Sequence, residues 1–593
     1  MLRLQPFLIL GSIFLSWILY TLIINRNRLQ YLEHDSLIMP QKRHPSDPQQ
    51  PLPPSSSPLL VYENAAICSD STTCSSIGRD ILLAGGSAVD SALATLICNG
   101  LIAMQSMGPG GGHLMNVYIQ GEKRAYSILA RERAPLAAVN ESLAASENPR
   151  LKCSRSIAIP NEIMGYAVAY NKFGRLPWAA LVKPTIKLCR GGYRLSKHQR
   201  DSLQTNQEMV LHDKHLRQTF VNATTEDFYS IGTHIRPPKE LCDSYDLLAQ
   251  KGPKDFYKGH LGKFLAMDLK ELGSLVTEED LRRVKAEIKP ALRLPLGDYE
   301  LHLIPPPGSG HIVGFIMKVL HQFHKDFGRE ERDLNAKDVH RIVEALKFGF
   351  VKRWELDVEF LFNLTDPEYA AHIAHIINEG GMTSDDPTYY GADPQLSYQI
   401  EHGTAHVSVL APNGDAVSAT SSINFYFGSG LTGTRTGVLF NNALADFTIE
   451  GQSNYFGLPN IANRNRLKPH RSPMSSMSPV IVTDNEGRVR LVVGAAGGTK
   501  IISALVPLLV RTLWMQKNIK QAIDSARFHH QLLPAVLEYE FGVIESILSS
   551  LKKRGHNTQR YRERGSAICG IENNAHGIYV NADYRKEGGV AGF

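Results

Sequence analysis

The chain has 593 residues, of which 43% are hydrophobic and 21% charged, and its formal net charge is +6. This much apolar surface excludes intrinsic disorder along the whole length, because disordered chains lack the residues to offset the entropy of ordering. Acidic and basic residues are interspersed and nearly balanced, so the positive field that nucleic-acid binding requires is missing. We expect a globular protein with more than one domain's worth of core and no nucleic-acid partner.

The first predicted element is an uncharged apolar run, Phe7–Ile24, which is just long enough to cross a bilayer as a helix. A cleaved signal peptide is the alternative, but such peptides usually have a shorter apolar stretch that ends in small residues. Here Asn, Arg, Asn and Arg follow at 25–28, which favours a retained anchor. The sequence predicts a cytoplasmic tail, residues 1–6, and a transmembrane segment, residues 7–24.

The orientation of the anchor is predicted from glycosylation motifs, because basic residues flank the apolar run on both sides. The sequons at Asn140, Asn222 and Asn363 follow the anchor and are acceptor sites if that part of the chain is lumenal. Such triplets also occur by chance. Together with a disulfide considered below, they favour a single-pass type II protein of the plasma membrane with its bulk outside the cytoplasm.

A proline-rich stretch follows the anchor. Residues 40–58 contain almost no apolar side chains, a composition typical of an extended, semi-rigid linker. A proline-rich ligand for the groove of another protein is the alternative. We assign residues 25–58 to a stalk and expect the folded sequence to begin near Leu59.

Two helices joined by a tight turn are predicted next. Ser87 and Asp90 form a capping box after Gly85-Gly86, Cys74 lies at the start of the first helix, and Cys98 lies late in the second. Neighbouring helices joined in this way run antiparallel, so the two sulfurs could form a disulfide. Two buried free thiols are the alternative. The seven cysteines show no zinc-type spacing, so no metal site is expected. No cofactor is predicted either.

Helical patterns such as Val339–Arg353 dominate as far as residue 402, and strand patterns follow. Thr404–Leu410 alternates like a half-buried strand, and Asn413-Gly414 is a strong hairpin signal before the partner strand Ala416–Thr420. This order of helices and strands indicates an α+β or layered architecture.

A glycine-rich turn connects the predicted strand Val489–Val493 to a predicted helix, Lys500–Gln516. Backbone N–H groups at a helix start bind anions, so the turn suggests a phosphate site. It matches neither GxGxxG nor GxxxxGK[ST], however, and a nucleotide site is therefore not expected. A tight packing turn and an oxyanion hole are the remaining interpretations.

Several long segments, in the same order, closely resemble the γ-glutamyltransferase family. Those that resemble its small subunit are residues 403–429, 437–447, 473–482 and 492–501. Those that resemble its large subunit are residues 74–100, 106–112, 130–138 and 173–178. The likeness runs from about residue 60 to the C-terminus, so it covers nearly all of the chain beyond the stalk.

The resemblance implies an N-terminal nucleophile hydrolase fold, a four-layer αββα sandwich, in a precursor that cleaves itself. The cut would fall between Gly403 and Thr404, which divides the catalytic domain into residues 59–403 and 404–593. Thr404 would attack the preceding carbonyl, and hydrolysis of the resulting ester would release its α-amine. An α-amine has a pKa of roughly 7.7 to 8.0, so it can serve as general base for the threonine hydroxyl near neutral pH.

The family's substrates are glutathione and other γ-glutamyl compounds, and its acceptors are water, amino acids and dipeptides. By resemblance, Arg131 clamps the substrate α-carboxylate, for which a planar fork of donors suits better than lysine. Ser475 and Ser476 would donate further hydrogen bonds to that carboxylate.

The resemblance assigns the substrate's α-ammonium to Asn424 and Asp446. Gly497 and Gly498 would supply the N–H groups of an oxyanion hole, which explains a glycine-rich turn without a phosphate motif.

Two positions depart from the family pattern. Ser422 replaces the usual threonine and keeps the hydroxyl, so it still counts as a substrate-site residue. Ala443 replaces a Glu or Gln that receives the ammonium, a hydrogen bond worth roughly 1.5 to 3 kcal/mol. We therefore expect a membrane-anchored γ-glutamyltransferase, and keep a family-like binding or structural ectodomain with decayed glutamate recognition as the alternative.

Overall fold

Two seven-stranded antiparallel sheets lie at the centre of the computed structural model, which describes residues 45–139, 153–327, 333–353, 366–392, 403–447, 465–561 and 565–593. Residues 48–593 form one compact unit. Within the described ranges no helix is both long and apolar enough to cross a bilayer. The predicted anchor, residues 7–24, lies outside those ranges and stays a prediction.

The first sheet, sheet I, contains the strand that follows Thr404. In spatial order its strands are β19 (Gly589–Gly592), β2 (Ala66–Ser69), β10 (Ala405–Leu410), β11 (Ala416–Ser422), β3 (Gly112–Ile119), β4 (Arg124–Ala130) and β7 (Glu287–Pro290).

The second sheet, sheet II, packs against the inner face of sheet I. In spatial order its strands are β1 (Leu60–Tyr62), β18 (Gly577–Ala582), β17 (Ala567–Asn574), β13 (Val489–Ala496), β12 (Val480–Asp484), β9 (Tyr299–Leu303) and β8 (Leu292–Leu296). The described residues also include two small sheets, one of β5 (Tyr193–Arg194) and β6 (His234–Ile235), the other of β14 (Phe528–His529), β15 (Leu537–Tyr539) and β16 (Thr558–Arg560).

Helices cover the outer faces of both sheets. Those that lie between β2 and β7 along the chain are α1 (Thr72–Leu83), α2 (Ala88–Ile102), α3 (Glu162–Phe173), α4 (Trp178–Gly191), α5 (Lys197–Thr205), α6 (Gln207–His212), α7 (Lys214–Phe220), α8 (Lys239–Lys251), α9 (Asp255–Lys258), α10 (His260–Glu271) and α11 (Glu278–Arg283). Those that follow are α12 (Gly310–His321), α13 (Ala336–Lys352), α14 (Pro367–Gly380), α15 (Lys500–Trp514), α16 (Ile519–Asp524) and α17 (Glu545–Lys553).

The layers follow from where the apolar side chains pack. One buried cluster joins α2 to β10 and β11, a second joins α12, α13 and α15 to β12 and β13, and a third lies between the two sheets. The order is therefore helix, sheet, sheet, helix, and the predicted α+β fold is confirmed. Because both faces of β10 and β11 are covered, every residue of these two strands is buried.

The hairpin of β10 and β11 forms as the sequence predicts. Its register runs from Ala405 opposite Ser421 to Leu410 opposite Ala416. Gly414 has a φ of +82° in the connecting turn, a conformation that glycine adopts without steric cost. This tight turn fixes the register, so the first residues of β10 lie beside the last residues of β11.

The helix pair α1 and α2 also forms as predicted. The side chain of Ser87 accepts from the N–H of Asp90, and Asp90 accepts from the N–H of Ser87, which completes the capping box. The structure pairs Cys74 with Cys98 in a disulfide. The bond ties α1 to α2, whose outer face is covered by α4 and whose inner face packs on sheet I.

Part of the predicted stalk packs on the folded unit. The hydroxyl of Ser55 donates to the carboxylate of Asp524 at 2.6 Å, and the hydroxyl of Ser57 donates to the carbonyl of Ala582 at 2.6 Å. Residues 48–58 thus lie along the last third of the chain, and the folded unit begins ahead of Leu59.

Buried histidines are expected to make the fold sensitive to mild acid. Burial lowers the pKa of His340 to about 4 and that of His406 to about 3, whereas an unfolded histidine titrates near 6.5. Between pH 6.5 and 4 the unfolded chain therefore binds protons that the folded chain does not, so the free energy of unfolding falls as the pH falls.

Each such histidine contributes a slope of up to about 1.4 kcal/mol per pH unit. Urea unfolding at pH 7.5, 6.5, 5.5 and 4.5 measures it. We expect His340→Gln to flatten the profile and His576→Gln, at an exposed position, to leave it unchanged. Equal slopes in wild type and His340→Gln would contradict the assignment.

Candidate active site

The predicted cleavage site lies at the start of β10. Gly403 and Thr404 are both buried, and Thr404 is 6% exposed. The hydroxyl of Ser422, at the end of β11, donates to the carbonyl oxygen of Gly403 at 2.6 Å. That hydroxyl oxygen in turn accepts from the N–H of Asn424 at 2.8 Å. The carbonyl before Thr404 is therefore polarised by a donor that is itself oriented by the backbone.

Gly403 has a φ of +103°, in the region that favours glycine. A Cβ at this position would lie 2.7 Å from the carbonyl carbon of Phe425 and 2.8 Å from the carbonyl oxygen of Asn424. Both atoms belong to the backbone and cannot move aside, so only glycine fits beside the loop that follows β11.

This loop carries Asn424 in a strained conformation, with a φ of +77°. Its side-chain amide donates to the carbonyl of Asn442 at 3.2 Å, and the side-chain carbonyl of Asn442 accepts from the N–H of Phe425 at 3.1 Å. Asn442 precedes a short 3₁₀ helix, Ala443–Asp446. The two bonds fix the loop after β11 against the segment that carries Asp446.

A buried ion cluster lies next to this segment. Arg131 follows β4, is 2% exposed, and forms salt bridges with Glu132 at 2.6 Å and with Asp446. Burial raises the pKa of the Glu132 carboxyl, and the charge of Arg131 opposes that rise. Arg131 and Asp446 are therefore direct neighbours. The family resemblance assigns the substrate's α-carboxylate to Arg131 and its α-ammonium to Asp446.

Hydrogen bonds extend from Asp446 to the serine pair. Asn465 donates to the carbonyl of Asp446 at 2.6 Å and accepts from the N–H of Met474 at 3.0 Å. Ser475 comes next, and its hydroxyl oxygen accepts from the N–H of Met477 at 3.2 Å. Ser476 is fully buried. Through Asn465, the segment that carries Ser475 and Ser476 is thus tied to Asp446.

The glycine pair at the end of β13 lies on the other sheet. Gly497 and Gly498 have φ values of +126° and +61°. They follow Gly494, where a Cβ would lie 2.1 Å from the ring of His406 on β10. That close approach places the end of β13 over the start of β10, the strand that Thr404 precedes.

One buried ion pair beside Thr404 was not predicted from the sequence. Lys586 donates to the carbonyl of Thr404 and to the carboxylate of Asp70, both at 2.5 Å. Burial raises the pKa of the Asp70 carboxyl, and the charge of Lys586 opposes this. Because these residues are far apart in sequence, no local motif could have revealed the contact.

Of the three predicted glycosylation sites, the structure describes one. Asn222 is partly exposed, and its side-chain oxygen accepts from the N–H of Thr224 in a surface turn. Asn140 and Asn363 lie outside the described ranges. Glycosylation stays a prediction at all three.

One group of side chains within the described ranges has the composition of a metal site, His340, Glu344 and His556. A ring nitrogen of His340 lies 2.8 Å from one of His556, a hydrogen bond between neutral rings. Glu344 accepts from the hydroxyls of Thr383 and Tyr390, both at 2.7 Å. Each of the three side chains thus has a hydrogen-bond partner in the protein, and the expectation of no metal stays a prediction.

The sequence matches the gamma-glutamyltranspeptidase family over residues 74–593, which confirms the resemblance. Scoloptoxin SSD14 of Scolopendra dehaani is 35% identical over 541 residues, 90% of this chain and 93% of that protein. Glutathione hydrolase 5 proenzyme of Homo sapiens is 32% identical over 561 residues, with the same two coverages. The cephalosporin acylase of Bacillus halodurans shares the fold, with a TM-score of 0.77 at 20% identity over 93% of this chain and 99% of that one. The chain therefore belongs to the gamma-glutamyltranspeptidase family.

Proposed function

We propose that this protein is a self-cleaving, membrane-anchored γ-glutamyltransferase and glutathione hydrolase whose nucleophile is Thr404. The observation that supports this most directly is the hydrogen bond from Ser422 to the carbonyl of Gly403. It polarises the one peptide bond that must break before Thr404 can become an N-terminal residue. Relatives that are named glutathione hydrolases support the reaction class.

The first reaction is cleavage of the precursor. The Thr404 hydroxyl oxygen attacks the Gly403 carbonyl carbon, and the peptide nitrogen leaves as the α-amine of Thr404, so an amide becomes an ester. Water then hydrolyses the ester and leaves a carboxylate on Gly403. The Ser422 hydroxyl stabilises the negative charge that develops on the Gly403 oxygen during the attack.

The second reaction uses the residue just released. The free α-amine of Thr404 takes the proton from its own hydroxyl, which attacks the γ-carbonyl of the donor and expels the amine of the remaining peptide. Gly497 and Gly498 offer backbone N–H groups to the oxyanion. Water, an amino acid or a dipeptide then takes the γ-glutamyl group from Thr404.

Recognition of the glutamyl group follows from the ion cluster. The α-carboxylate and α-ammonium of a γ-glutamyl compound are bonded to the same carbon, so a complementary site needs a cation beside an anion. Arg131 and Asp446 form such a pair. Asn424 contacts Asn442, just ahead of the short helix that ends at Asp446, and Asn465 ties Asp446 to Met474, next to Ser475 and Ser476. A substrate that inserts here replaces one salt bridge with two.

Ala443 supports the alternative of a binding or structural ectodomain. It is fully buried in a small apolar cluster with Ala134, Ala158, Leu444 and Phe447. No side-chain donor or acceptor at this position can reach an ammonium group. Recognition of the substrate's ammonium group therefore depends more on Asp446 than the family pattern implies. A chain that cleaves itself but turns over no substrate would favour the binding or structural ectodomain.

Placement outside the cytoplasm is part of the proposal. The structure contains disulfides, which persist in oxidising compartments, and the sequon at Asn222 lies on a surface turn. Together with the apolar run at 7–24 they support a type II anchor in the plasma membrane with the catalytic domain outside the cell.

Self-cleavage and turnover are tested on the secreted folded unit, residues 48–593. We expect a reducing gel to show two fragments, sequencing of the smaller to begin at Thr404, and a chromogenic γ-glutamyl amide to be hydrolysed. Because Ser422→Ala removes the donor to the Gly403 carbonyl, it should slow cleavage about 100-fold, while Ser422→Thr keeps the hydroxyl and should cleave normally. Equal rates in Ser422→Ala and wild type would show that the Gly403 carbonyl needs no such donor.

A further inference from the structure

Among the described residues, the disulfides are Cys68–Cys569, Cys74–Cys98 and Cys189–Cys242. The last two each join residues ahead of Gly403. Cys68 and Cys569 are 501 residues apart and lie on opposite sides of the cleavage site. We propose that Cys68–Cys569 links the two products of self-cleavage covalently, so that the mature protein is a disulfide-joined pair of chains. This inference rests on the self-cleavage proposed above.

The bond crosses from one sheet to the other. Cys68 lies on β2 between Ser408 of β10 and Val590 of β19, and Cys569 lies on β17 between Gly494 of β13 and Ala582 of β18. Each cysteine is therefore fixed by a hydrogen-bonded strand on either side. Their Cα atoms are 5.7 Å apart, a separation that a disulfide spans without backbone movement.

The sulfurs are sealed from solvent. Cys68 is 0% exposed and Cys569 is 4% exposed, within the apolar cluster that fills the space between the sheets. The hydroxyl of Ser408, which faces Cys68 across β2 and β10, donates to the carbonyl of Cys569 at 3.3 Å. A reductant reaches the bond only if the two sheets separate, so the link persists in the folded protein.

Formation of the bond requires an oxidant. Two thiols lose two protons and two electrons, which a disulfide-bearing oxidant of the secretory route accepts as it is reduced to a dithiol. The strands that carry the cysteines come together only in the folded precursor, because β17 is far from β2 along the chain. The bond therefore belongs to the same folded state that places Thr404 beside Ser422.

The link changes what cleavage produces. Without it, the two products would be held by strand pairing and packing alone, and unfolding would release two separate chains. With it, the pair remains one covalent molecule under denaturing conditions, and reassembly does not depend on protein concentration.

The test uses the full chain, expressed by secretion and denatured with N-ethylmaleimide to block thiol exchange. With reductant we expect two fragments, and without reductant one band of the uncut mass. Cys569→Ala should give two fragments under both conditions. The double variant Cys74→Ala, Cys98→Ala removes a disulfide within one product and should still give one band without reductant.

Two separate failures are distinguishable. A single chain even with reductant would refute self-cleavage. The disulfide is then detected in a second portion of the same sample, kept free of reductant, by mass spectrometry of its proteolytic digest. A peptide pair joined through Cys68 and Cys569 supports the link. Two fragments from the wild type without reductant, or N-ethylmaleimide on both cysteines, would overturn it.

Discussion

Thr404→Ala is expected to remain a single uncut chain on a reducing gel and to show no turnover above background. The substitution removes the oxygen that attacks Gly403 and the oxygen that would carry the γ-glutamyl group, so both reactions stop. Loss of a nucleophile typically lowers turnover by at least about 10⁴-fold. The free energy of unfolding should fall by no more than about 1–2 kcal/mol, because the substitution removes only a hydroxyl and a methyl group.

Thr404→Ser is the matched control, because it keeps the hydroxyl and loses only a methyl group. It should still cleave itself and turn over the chromogenic γ-glutamyl amide, more slowly than wild type. Intact-mass spectrometry follows cleavage without depending on activity. Two fragments from Thr404→Ala, cut at the same bond, would show that another group breaks the chain and would refute the proposed nucleophile.

Arg131→Ala is expected to lower the free energy of unfolding by about 3–5 kcal/mol, because it leaves the carboxylates of Glu132 and Asp446 buried without their cation. Arg131→Lys keeps a charge and should cost less. Lysine lacks the planar fork of N–H donors that would bind the substrate's α-carboxylate, however, so the KM for a γ-glutamyl amide should rise about 10- to 100-fold.

Arg133 supplies the control for both measurements. It is a nearby arginine whose side chain is 22% exposed and pairs with Glu287 at the surface. Arg133→Ala should cost less than about 1 kcal/mol and leave KM unchanged. Urea unfolding and initial rates measure the two effects. If Arg131→Ala were as stable as Arg133→Ala, the buried carboxylates of Glu132 and Asp446 would not depend on Arg131. An unchanged KM in Arg131→Lys would contradict its role in substrate recognition.

Features that depend on neighbouring residues were predictable from the sequence. The hairpin of β10 and β11 follows from strand alternation around Asn413-Gly414. Two helices joined by a short turn bring Cys74 and Cys98 within reach of each other, and of the two alternatives, a disulfide or two free thiols, the structure has the disulfide. The strand predicted at Val489–Val493 extends to Ala496, because its last residues continue to pair with β17. Local patterns therefore identify a strand or a helix, but its exact end depends on the neighbouring strand with which it pairs.

Contacts between distant segments were not predictable in this way. Nothing near Lys586 signals that its ammonium contacts the carbonyl of Thr404, and nothing near Cys68 signals a partner on β17. The resemblance assigned Arg131 and Asp446 to opposite charges of one substrate, but not to each other in its absence. These contacts arise from the stacking of two sheets, which brings together residues hundreds of positions apart.

For the self-cleavage proposed above, the arrangement of sheet I also determines how much of the chain must be made first. Strand β10 pairs on one side with β2, which pairs in turn with β19 at the extreme C-terminus, and Lys586 just before β19 contacts Thr404. Contacts this remote along the chain form only after the intervening residues have been made and ordered. The chain must therefore be made as far as β19 before these contacts form, and a product that ends earlier lacks the contact from Lys586 to Thr404. The proposed cleavage would thus mark chains in which sheet I is already assembled.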